Sequence, residues 1–314
     1  MKKITICLSA DEAYAWPLFV TIVSLLRSKN ESTFYNINIL VSKKFPAGIL
    51  KYFENLSKSY QNFSINFIEM KSAFADIKMQ ISHITVPTFY RINIPKLFPD
   101  KKRVLYLDCD IIVLKDLSEL FDEDLQDCYA GGVLAVGYIL NQSNRDYYKR
   151  IGIDNLSSYI NAGICLWNVE KIIEDNLYDE LISHCEKNYS SMDQDVVNRV
   201  FYGKIKLLDL KYNLMTKYKG FFEDGEEFEK LAQYYGTEMI KNAVKNPTII
   251  HYADKIKPWS DKNSILADFW WQTAQIHPFS LPIATQIRLK FREFKKFCEQ
   301  SKDKAKFRLK KLIS

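Results

Sequence analysis

An α/β fold built around a largely parallel sheet is the fold class that the sequence predicts. Over residues 4–68, short apolar runs alternate with segments whose apolar side chains recur at helical spacing. Such alternation is typical of a parallel sheet with helices on both faces. The 314 residues, 47% of them hydrophobic and 26% charged, suit one large folded domain with an appendage.

The elements of the first half follow from this alternation. Strands are predicted at residues 4–8, 36–41, 64–68 and 103–107. Helices are predicted at residues 14–26, 46–56 and 88–94. Pro46 is expected to begin the second helix and Pro95 to end the third. The series βαβαβ over residues 4–68 therefore favours adjacent parallel strands.

The second half has a different pattern. Short strands are predicted at residues 129–136 and 161–167, with a polar segment at 141–150 between them. Helices are predicted at residues 176–187, 193–201 and 226–243. Because strands and helices no longer alternate regularly, we expect a mixed sheet in this half.

Two aspartates stand at the end of an apolar strand. Asp108 and Asp110 follow the β-favouring residues 104–107, and their i, i+2 spacing places both carboxylates on one side. Asp-x-Asp occurs three times, at Asp108/Asp110, Asp122/Asp124 and Asp193/Asp195. Only the first pair directly follows such a strand, where open α/β sheets bind ligands. Paired carboxylates suit Mg²⁺ or Mn²⁺, so we predict a metal site here.

Residues 9–14 follow the first strand at the same edge of the predicted sheet. They lack the G-x-G-x-x-G pattern of a dinucleotide site, so a glycine-rich phosphate cradle is not indicated. Asp11 could accept hydrogen bonds from a base or ribose, and Tyr14 could stack on a base. The alternative is that Asp11 or Ser9 caps the next helix while Tyr14 packs within the fold.

Two further segments place amide side chains beside small or acidic residues. Asn161 precedes Ala162 and Gly163 before an apolar strand, where it could donate to a sugar hydroxyl; an ordinary turn is the alternative. Gln194 follows Asp193 at the start of a predicted helix, and the pair suits a developing sugar cation. The alternative is that Asp193 is an ordinary helix cap.

His251 ends an apolar strand and precedes Lys255 and Lys257. A histidine in this position is usually structural, which is one interpretation. The two lysines could neutralise a diphosphate, and this favours the other interpretation, in which His251 is a metal ligand.

Together and in this order, these motifs resemble those of glycosyltransferase family 8. The resemblance is carried by residues 9–14, residues 83–91, the strand ending at Asp108 and Asp110, and residues 161–163, 193–195 and 251–259. It covers roughly residues 3–275. The family contains bacterial lipopolysaccharide galactosyl- and glucosyltransferases and is related to glycogenin.

The resemblance implies a GT-A fold over residues 1–279, with a nucleotide-binding half at 1–110 and a half for donor sugar and acceptor at 111–279. It implies retaining transfer of galactose or glucose from a UDP-hexose donor to a saccharide or glycolipid acceptor, with Mn²⁺ or, alternatively, Mg²⁺. The implied metal ligands are Asp108, Asp110 and His251. The implied nucleotide contacts are Ser9, Ala10, Asp11, Tyr14 and Lys257. The implied donor-sugar contacts are Arg91, Asp108, Asn161, Ala162, Asp193 and Gln194.

Retention leaves two mechanisms, with Gln194 and Asp193 as candidate catalytic residues. A double displacement needs a nucleophile under the anomeric carbon, and Asp193 is the candidate because Gln194 is a poor nucleophile. We favour front-face attack by the acceptor hydroxyl, in which a UDP oxygen takes the proton and Gln194 supports the cation. The rival functions are a nucleotide-sugar-binding protein without turnover and, less favoured, a haloacid-dehalogenase-type phosphatase, against which Ile112 and the late position of the motif argue.

The sequence leaves the acceptor open. Residues 131–136 lack the acidic side chain that relatives often carry there. Residues 137–150 and 212–235 are candidate acceptor walls because their aromatic side chains could stack on sugar rings. Packing within the core is the alternative for these aromatic residues.

A basic tail is predicted at residues 280–314. Residues 286–314 contain eleven Lys or Arg and three Asp or Glu, and Ile287, Phe291, Phe294 and Cys298 recur at helical spacing. This pattern predicts an amphipathic helix on an anionic membrane surface, with a solvated tail as the alternative and no nucleic-acid partner. The six cysteines lack C-x-x-C spacing and no apolar stretch is long enough to span a bilayer. We therefore expect a cytoplasmic protein at the inner face of the cytoplasmic membrane.

Overall fold

The computed structural model describes residues 1–71, 74, 86–137, 145–187 and 189–280. Its strands are β1 (Lys2–Ala10), β2 (Thr33–Val41), β3 (Phe63–Glu69), β4 (Arg103–Leu107), β5 (Ile111–Val113), β6 (Ala130–Leu134), β7 (Ile160–Asn168), β8 (Ile205–Leu207), β9 (Leu214–Met215) and β10 (Ile249–His251). Every strand predicted from the sequence is present, with ends that differ by at most three residues. The tail at 281–314, residues 138–144 and the start of the 83–91 motif lie outside the described residues.

The helices surround these strands. They are α1 (Ala15–Ser28), α2 (Ala47–Asn55), α3 (Ile94–Leu97), α4 (Ser118–Phe121), α5 (Arg145–Arg150), α6 (Val169–Glu174), α7 (Tyr178–Cys185), α8 (Asp193–Val200), α9 (Glu226–Tyr235), α10 (Thr237–Lys245) and α11 (Ala267–Ile276). A 3₁₀ helix at Val86–Asn93 leads directly into α3. Among these described helices, none combines the length and apolarity needed to cross a bilayer.

A seven-stranded sheet forms the centre of the fold, in the order β3-β2-β1-β4-β7-β6-β8. The first four strands, β1 to β4, run parallel, as the alternating pattern of the first half predicts. β7 runs antiparallel to both β4 and β6. The α/β class with a mixed sheet is therefore confirmed.

Two predicted helices are wrong in detail. The single helix expected at residues 226–243 is two helices, because Gly236 adopts a positive φ of 78° between α9 and α10. A left-handed residue of this kind ends a helix and favours glycine. The helix expected at residues 88–94 is a 3₁₀ helix, and Pro95 lies in the first turn of α3 instead of ending the segment. Proline fits there because first-turn amides have no partner within the helix.

Helix α1 packs in the main apolar core and also contacts the backbone on either side of Asp110. It packs with the buried strands β1, β2 and β4 in the main apolar cluster. The fully buried Thr21 Oγ1 donates to the carbonyls of Cys109 and Ile111, both at 2.9 Å. Hydrogen bonds from the buried Thr21 side chain therefore fix the backbone on both sides of Asp110.

A second, three-stranded sheet has the order β5-β10-β9. β10 is antiparallel to β5, with His251 opposite Ile111, and the Tyr252 amide donates to the Asp110 carbonyl at 2.9 Å. This pairing brings His251 beside Asp110 across 141 positions of sequence. The five described cysteines are free, and four of them are buried, as expected for reduced thiols.

Candidate active site

A cavity of about 650 Å³ opens at the carboxyl ends of β1 and β4. Residues from six separate regions of the sequence meet there. All predicted site residues line it, namely Ser9, Ala10, Asp11, Tyr14, Arg91, Asp108, Asp110, Asn161, Ala162, Asp193, Gln194, His251 and Lys257. The predicted site residues therefore lie together in one cavity.

Three donors for a metal converge on one side of the cavity. One ligand atom each of Asp108, Asp110 and His251 lies within 4.8 Å of the others. His251 Nε2 is 3.3 Å from Asp110 Oδ1 and 3.8 Å from Asp108 Oδ2. Within the described part of the chain, neither of the other two Asp-x-Asp pairs belongs to such a group. Two carboxylates and one imidazole fit Mn²⁺, and the carboxylates alone fit Mg²⁺.

Gly163 makes room for this group. A Cβ atom at position 163 would lie 2.5 Å from both Asp108 Oδ2 and His251 Cε1. No real side chain tolerates such contacts, so a larger residue would displace the metal donors. The small residue after Asn161 and Ala162 is thus needed for the packing of the site itself.

Lys257 supplies a positive charge beside Asp110. Its Nζ lies 2.6 Å from Asp110 Oδ2 and also donates to the Tyr252 carbonyl at 2.7 Å. Burial alone would raise the pKa of Asp110, but Lys257 and His251 together hold that pKa well below its usual range. Asp110 is therefore an ionised carboxylate at neutral pH.

Arg91 links two carboxylates in the floor of the cavity. It is 4% exposed, with Nη2 2.9 Å from Asp108 Oδ1 and Nε 2.9 Å from Asp193 Oδ2. It also donates to the Ala162 carbonyl and lies 4.1 Å from the centre of the Tyr106 ring. Burial opposes the charged form, but Asp108 and Asp193 raise the pKa of Arg91, so the guanidinium stays charged. Its predicted contact with a donor sugar stays a prediction.

Asp193 and Gln194 begin helix α8. Met192 holds the N-cap position, so the interpretation of Asp193 as a helix cap is wrong. Asp193 pairs with Arg91 and accepts from Thr88 Oγ1 at 2.6 Å. Burial raises its pKa to about 6, although Arg91 and Thr88 oppose the shift.

In the same cavity, Asp11 has a structural role. Its Oδ1 accepts from the amides of Ala13 at 2.9 Å and Tyr14 at 3.2 Å, which caps a 3₁₀ turn. The capping interpretation is therefore confirmed, and the nucleotide contact stays a prediction. The Tyr14 ring packs edge-on against Trp259, with centroids 6.0 Å apart.

The segment at residues 212–235 contributes to both the cavity and the core. Tyr212, Phe221 and Phe228 are buried, which confirms core packing for these aromatic residues. Lys217 and Tyr218 line the cavity beside Met215. Lys217 and Tyr218 therefore add one basic and one aromatic residue to the lining of the cavity.

Sequence reasoning missed three residues that contact the predicted site. Tyr159 accepts from Gln194 Nε2 at 3.3 Å, and Asn213 contacts both Asn161 and His251 at 2.9 Å. Asp195 contacts Tyr159. The third Asp-x-Asp pair was a signal for Asp195, whereas no periodicity or motif distinguishes Asn213.

Sequence comparison supplies the family. The sequence profile of glycosyl transferase family 8 matches residues 5–263. The chain belongs to glycosyl transferase family 8. This family 8 chain is therefore a glycosyltransferase, and the resemblance seen in its motifs is confirmed.

Two curated relatives are moderately similar to this chain in sequence. General stress protein A of Bacillus subtilis is 26% identical over 258 residues, covering 80% of this chain and 85% of that protein. Lipopolysaccharide 1,2-glucosyltransferase of Escherichia coli is 26% identical over 279 residues, covering 86% and 77%.

Solved structures show the same fold. The galactosyltransferase LgtC, bound to donor and acceptor sugar analogues, gives a TM-score of 0.71 at 23% identity, covering 90% of this chain and 99% of LgtC. The bifunctional glycosyltransferase WbbM gives a TM-score of 0.76 at 27% identity. That match covers 88% of this chain and 50% of WbbM, so the chain spans half of that protein's length. The family 8 chain has the GT-A fold.

Proposed function

We propose that the chain is a retaining, metal-dependent hexosyltransferase that moves glucose or galactose from a UDP-sugar to a saccharide acceptor. The observation that carries the proposal is the group of Asp108, Asp110 and His251, with Lys257 beside it, in a 650 Å³ cavity. Lipopolysaccharide 1,2-glucosyltransferase and the galactosyltransferase LgtC are both similar to this chain, which supports a hexose donor.

Asp108, Asp110 and His251 would hold Mn²⁺, with Mg²⁺ as the alternative ion. A bound divalent ion supplies positive charge that neutralises a diphosphate leaving group. Lys257 lies close enough to Asp110 to add a second positive charge at the same place. Ser9, Ala10, Asp11 and Tyr14, which line the same cavity, would contact the uridine. Groups placed in this way stabilise negative charge as the sugar–phosphate bond breaks.

The surroundings of Asp193 support front-face attack by the acceptor hydroxyl. Asp193 is 5% exposed and is held by Arg91 and Thr88, whose hydrogen bonds reduce the nucleophilicity of its carboxylate. Gln194, which lines the cavity, would support the developing sugar cation, and Arg91 and Asn161 would contact the hexose. A glycosyl adduct trapped on Asp193 and detected by mass spectrometry would overturn this mechanism.

A donor screen tests the proposed function. UDP-glucose, UDP-galactose and a phosphomonoester are each incubated with the protein and Mn²⁺ in the absence of acceptor, and UDP and phosphate are measured. We expect UDP release from one or both UDP-hexoses. Binding without UDP release would instead identify a nucleotide-sugar-binding protein, and phosphate release from the phosphomonoester would identify a phosphatase.

Asp193 gives a prediction about pH. Its pKa of about 6 means that the carboxylate paired with Arg91 is present above this pH and is lost below it. We expect the rate of UDP-hexose hydrolysis to fall as the pH is lowered from about 7 to about 5. The variant Asp193→Asn should be slower at every pH and should lack this acidic limb. Retention of the same limb in Asp193→Asn would assign it to another group.

The acceptor is proposed to be a glycolipid or saccharide of surface-glycan synthesis, such as lipopolysaccharide, reached at the inner face of the cytoplasmic membrane. The basic residues at 286–314 support this location, since each basic side chain near anionic lipid contributes about 1 kcal/mol. We expect the full chain to co-sediment with phosphatidylserine vesicles and a chain ending at Pro282 to remain in the supernatant. Equal binding of the full chain and the shortened chain would show that residues 283–314 do not contribute to membrane binding.

A further inference from the structure

Asp195 is a buried carboxylate next to Gln194 that does not line the cavity. It is 0% exposed and accepts from Tyr147 Oη at 2.7 Å, from Tyr159 Oη and from the Ser191 amide at 2.7 Å. Neither donor-sugar binding nor metal binding, as proposed above, uses it. Its contacts instead connect it to Gln194 through Tyr159.

A chain of side-chain hydrogen bonds starts at this carboxylate. Tyr159 donates to Asp195 Oδ1, and Gln194 Nε2 donates to Tyr159 Oη at 3.3 Å. Gln194 Oε1 then accepts from Asn161 Nδ2 at 3.1 Å and from the Ala162 amide at 3.3 Å. The amide of Gln194 is thus held on both its nitrogen and its oxygen.

This series of hydrogen bonds continues to the metal donors through Asn213, which is 0% exposed. Asn213 Nδ2 donates to Asn161 Oδ1 at 2.9 Å, and His251 Nδ1 lies 2.9 Å from Asn213 Oδ1. Asn161 Oδ1 also accepts from the Gly163 amide at 3.2 Å. One continuous path therefore joins Asp195 to His251.

Every bond in this path donates in the same direction. The Ala162 amide donates to Gln194 Oε1, so Gln194 Nε2 is the group that faces Tyr159 Oη and donates to it. The hydroxyl proton of Tyr159 then points to Asp195 Oδ1. Backbone amides only donate, so the Ala162 and Gly163 amides fix the oxygens of Gln194 and Asn161 independently.

The same direction determines the tautomer of His251. The nitrogen of Asn213 is used on Asn161, so its oxygen faces His251 Nδ1, which must carry the proton. In the neutral ring, Nε2 is then the nitrogen with the free lone pair, and it faces Asp110 Oδ1 and Asp108 Oδ2. A ring oriented by such a partner binds metal in the required geometry.

We propose that Asp195 and Asn213 are positioning residues that fix, through this one chain of hydrogen bonds, the amide of Gln194 and the metal-binding nitrogen of His251. The inference rests on the proposed function for the roles of Gln194 and His251. Asp195 acts through Tyr159, and Asn213 acts directly on the imidazole.

Mn²⁺ binding, measured by electron paramagnetic resonance, tests the part of the hydrogen-bond path that ends at His251. Asn213→Leu removes the acceptor for His251, and we expect the Mn²⁺ dissociation constant to rise about 10- to 100-fold. Asn213→Asp keeps an acceptor at that position and should retain affinity at or above that of the wild type. Wild-type affinity in a folded Asn213→Leu variant overturns this part of the proposal.

The Gln194 end is tested by the kinetics of UDP-hexose hydrolysis. Asp195→Asn and Tyr159→Phe each remove one link with little change of shape, and we expect kcat to fall about 10- to 100-fold with little change in the donor KM or in Mn²⁺ affinity. Since both changes break the same path, the double variant should be no slower than the slower single variant.

Tyr129→Phe is the matched control for the tyrosine substitution. Tyr129 donates to Asp175 Oδ2 at 2.7 Å on the surface and does not line the cavity, so kcat should stay at the wild-type value. Thermal midpoints of all variants establish that they fold. Folded Asp195→Asn and Tyr159→Phe variants with the kcat of Tyr129→Phe, or a double variant whose losses multiply, overturn the proposal.

The Asp110→Ala variant separates this inference from the proposed function. Loss of Mn²⁺ affinity in Asp110→Ala with wild-type affinity in Asn213→Leu overturns the positioning role and leaves the metal site standing. Wild-type affinity in both variants overturns both. Loss of affinity in both supports both.

Discussion

Asp110→Ala is expected to lower the rate of UDP-hexose hydrolysis by on the order of 10³-fold, because it removes a charged metal donor and the partner of Lys257. Mn²⁺ binding should be lost with it. Asp110 is not part of the apolar core, and its removal relieves repulsion from the nearby Asp108, which offsets the loss of the Lys257 pair. The thermal midpoint should therefore move by only a few degrees, as for about 1 kcal/mol. The measurements are UDP release, Mn²⁺ titration and thermal denaturation.

The matched control is Asp124→Ala, in another Asp-x-Asp pair. Asp124 Oδ1 accepts from the Gln126 amide at an exposed turn, away from the cavity. This variant should hydrolyse UDP-hexose at the wild-type rate. An Asp110→Ala variant that is folded and as active as Asp124→Ala would show that the carboxylate pair has no role in the reaction.

Arg91→Ala is expected to have the largest effect on stability. It leaves Asp193, and part of Asp108, without a cationic partner in a buried environment, and breaking such a pair costs about 3–5 kcal/mol. Hydrolysis should also be lost, since both carboxylates line the cavity. The free energy of unfolding is measured by urea denaturation.

Two further variants separate charge from geometry at this position. Arg91→Lys keeps the charge but lacks the fork that contacts two carboxylates and the Ala162 carbonyl, so it should be less destabilised yet still impaired in hydrolysis. Adding Asp193→Asn to Arg91→Ala removes an unpaired buried charge and should restore part of the lost stability. If the two losses simply add, the ion pair does not account for the effect of Arg91→Ala.

The parts of the fold predicted from the sequence are those governed by local patterns. β1, β2, β3 and β4 follow from apolar runs, and the position of Asp108 and Asp110 follows from the end of β4. The break between α9 and α10 depends on the backbone of Gly236, whose φ of 78° the helical spacing does not reveal.

The residues of the candidate site were likewise predictable only where local sequence patterns or family motifs marked them. His251 could be placed with Asp110 through its lysine neighbours and the family motifs. Asn213 could not, because its importance comes from lying between Asn161 and His251 after β9 and β10 have paired. Asp11 and Asp193 show that similar sequence positions can have different roles. Each aspartate lies at the start of a helix, but only Asp11 is the N-cap of its helix.

Calorimetric titration of UDP into the protein with Mn²⁺ and then with a chelator tests the central claim most directly. The structure places Asp108, Asp110, His251 and Lys257 together, so UDP should bind with Mn²⁺, lose most of its affinity on chelation, and recover it when Mn²⁺ is returned. Asp110→Ala should not recover. UDP binding of equal strength with and without the metal would contradict a metal-held diphosphate in this cavity.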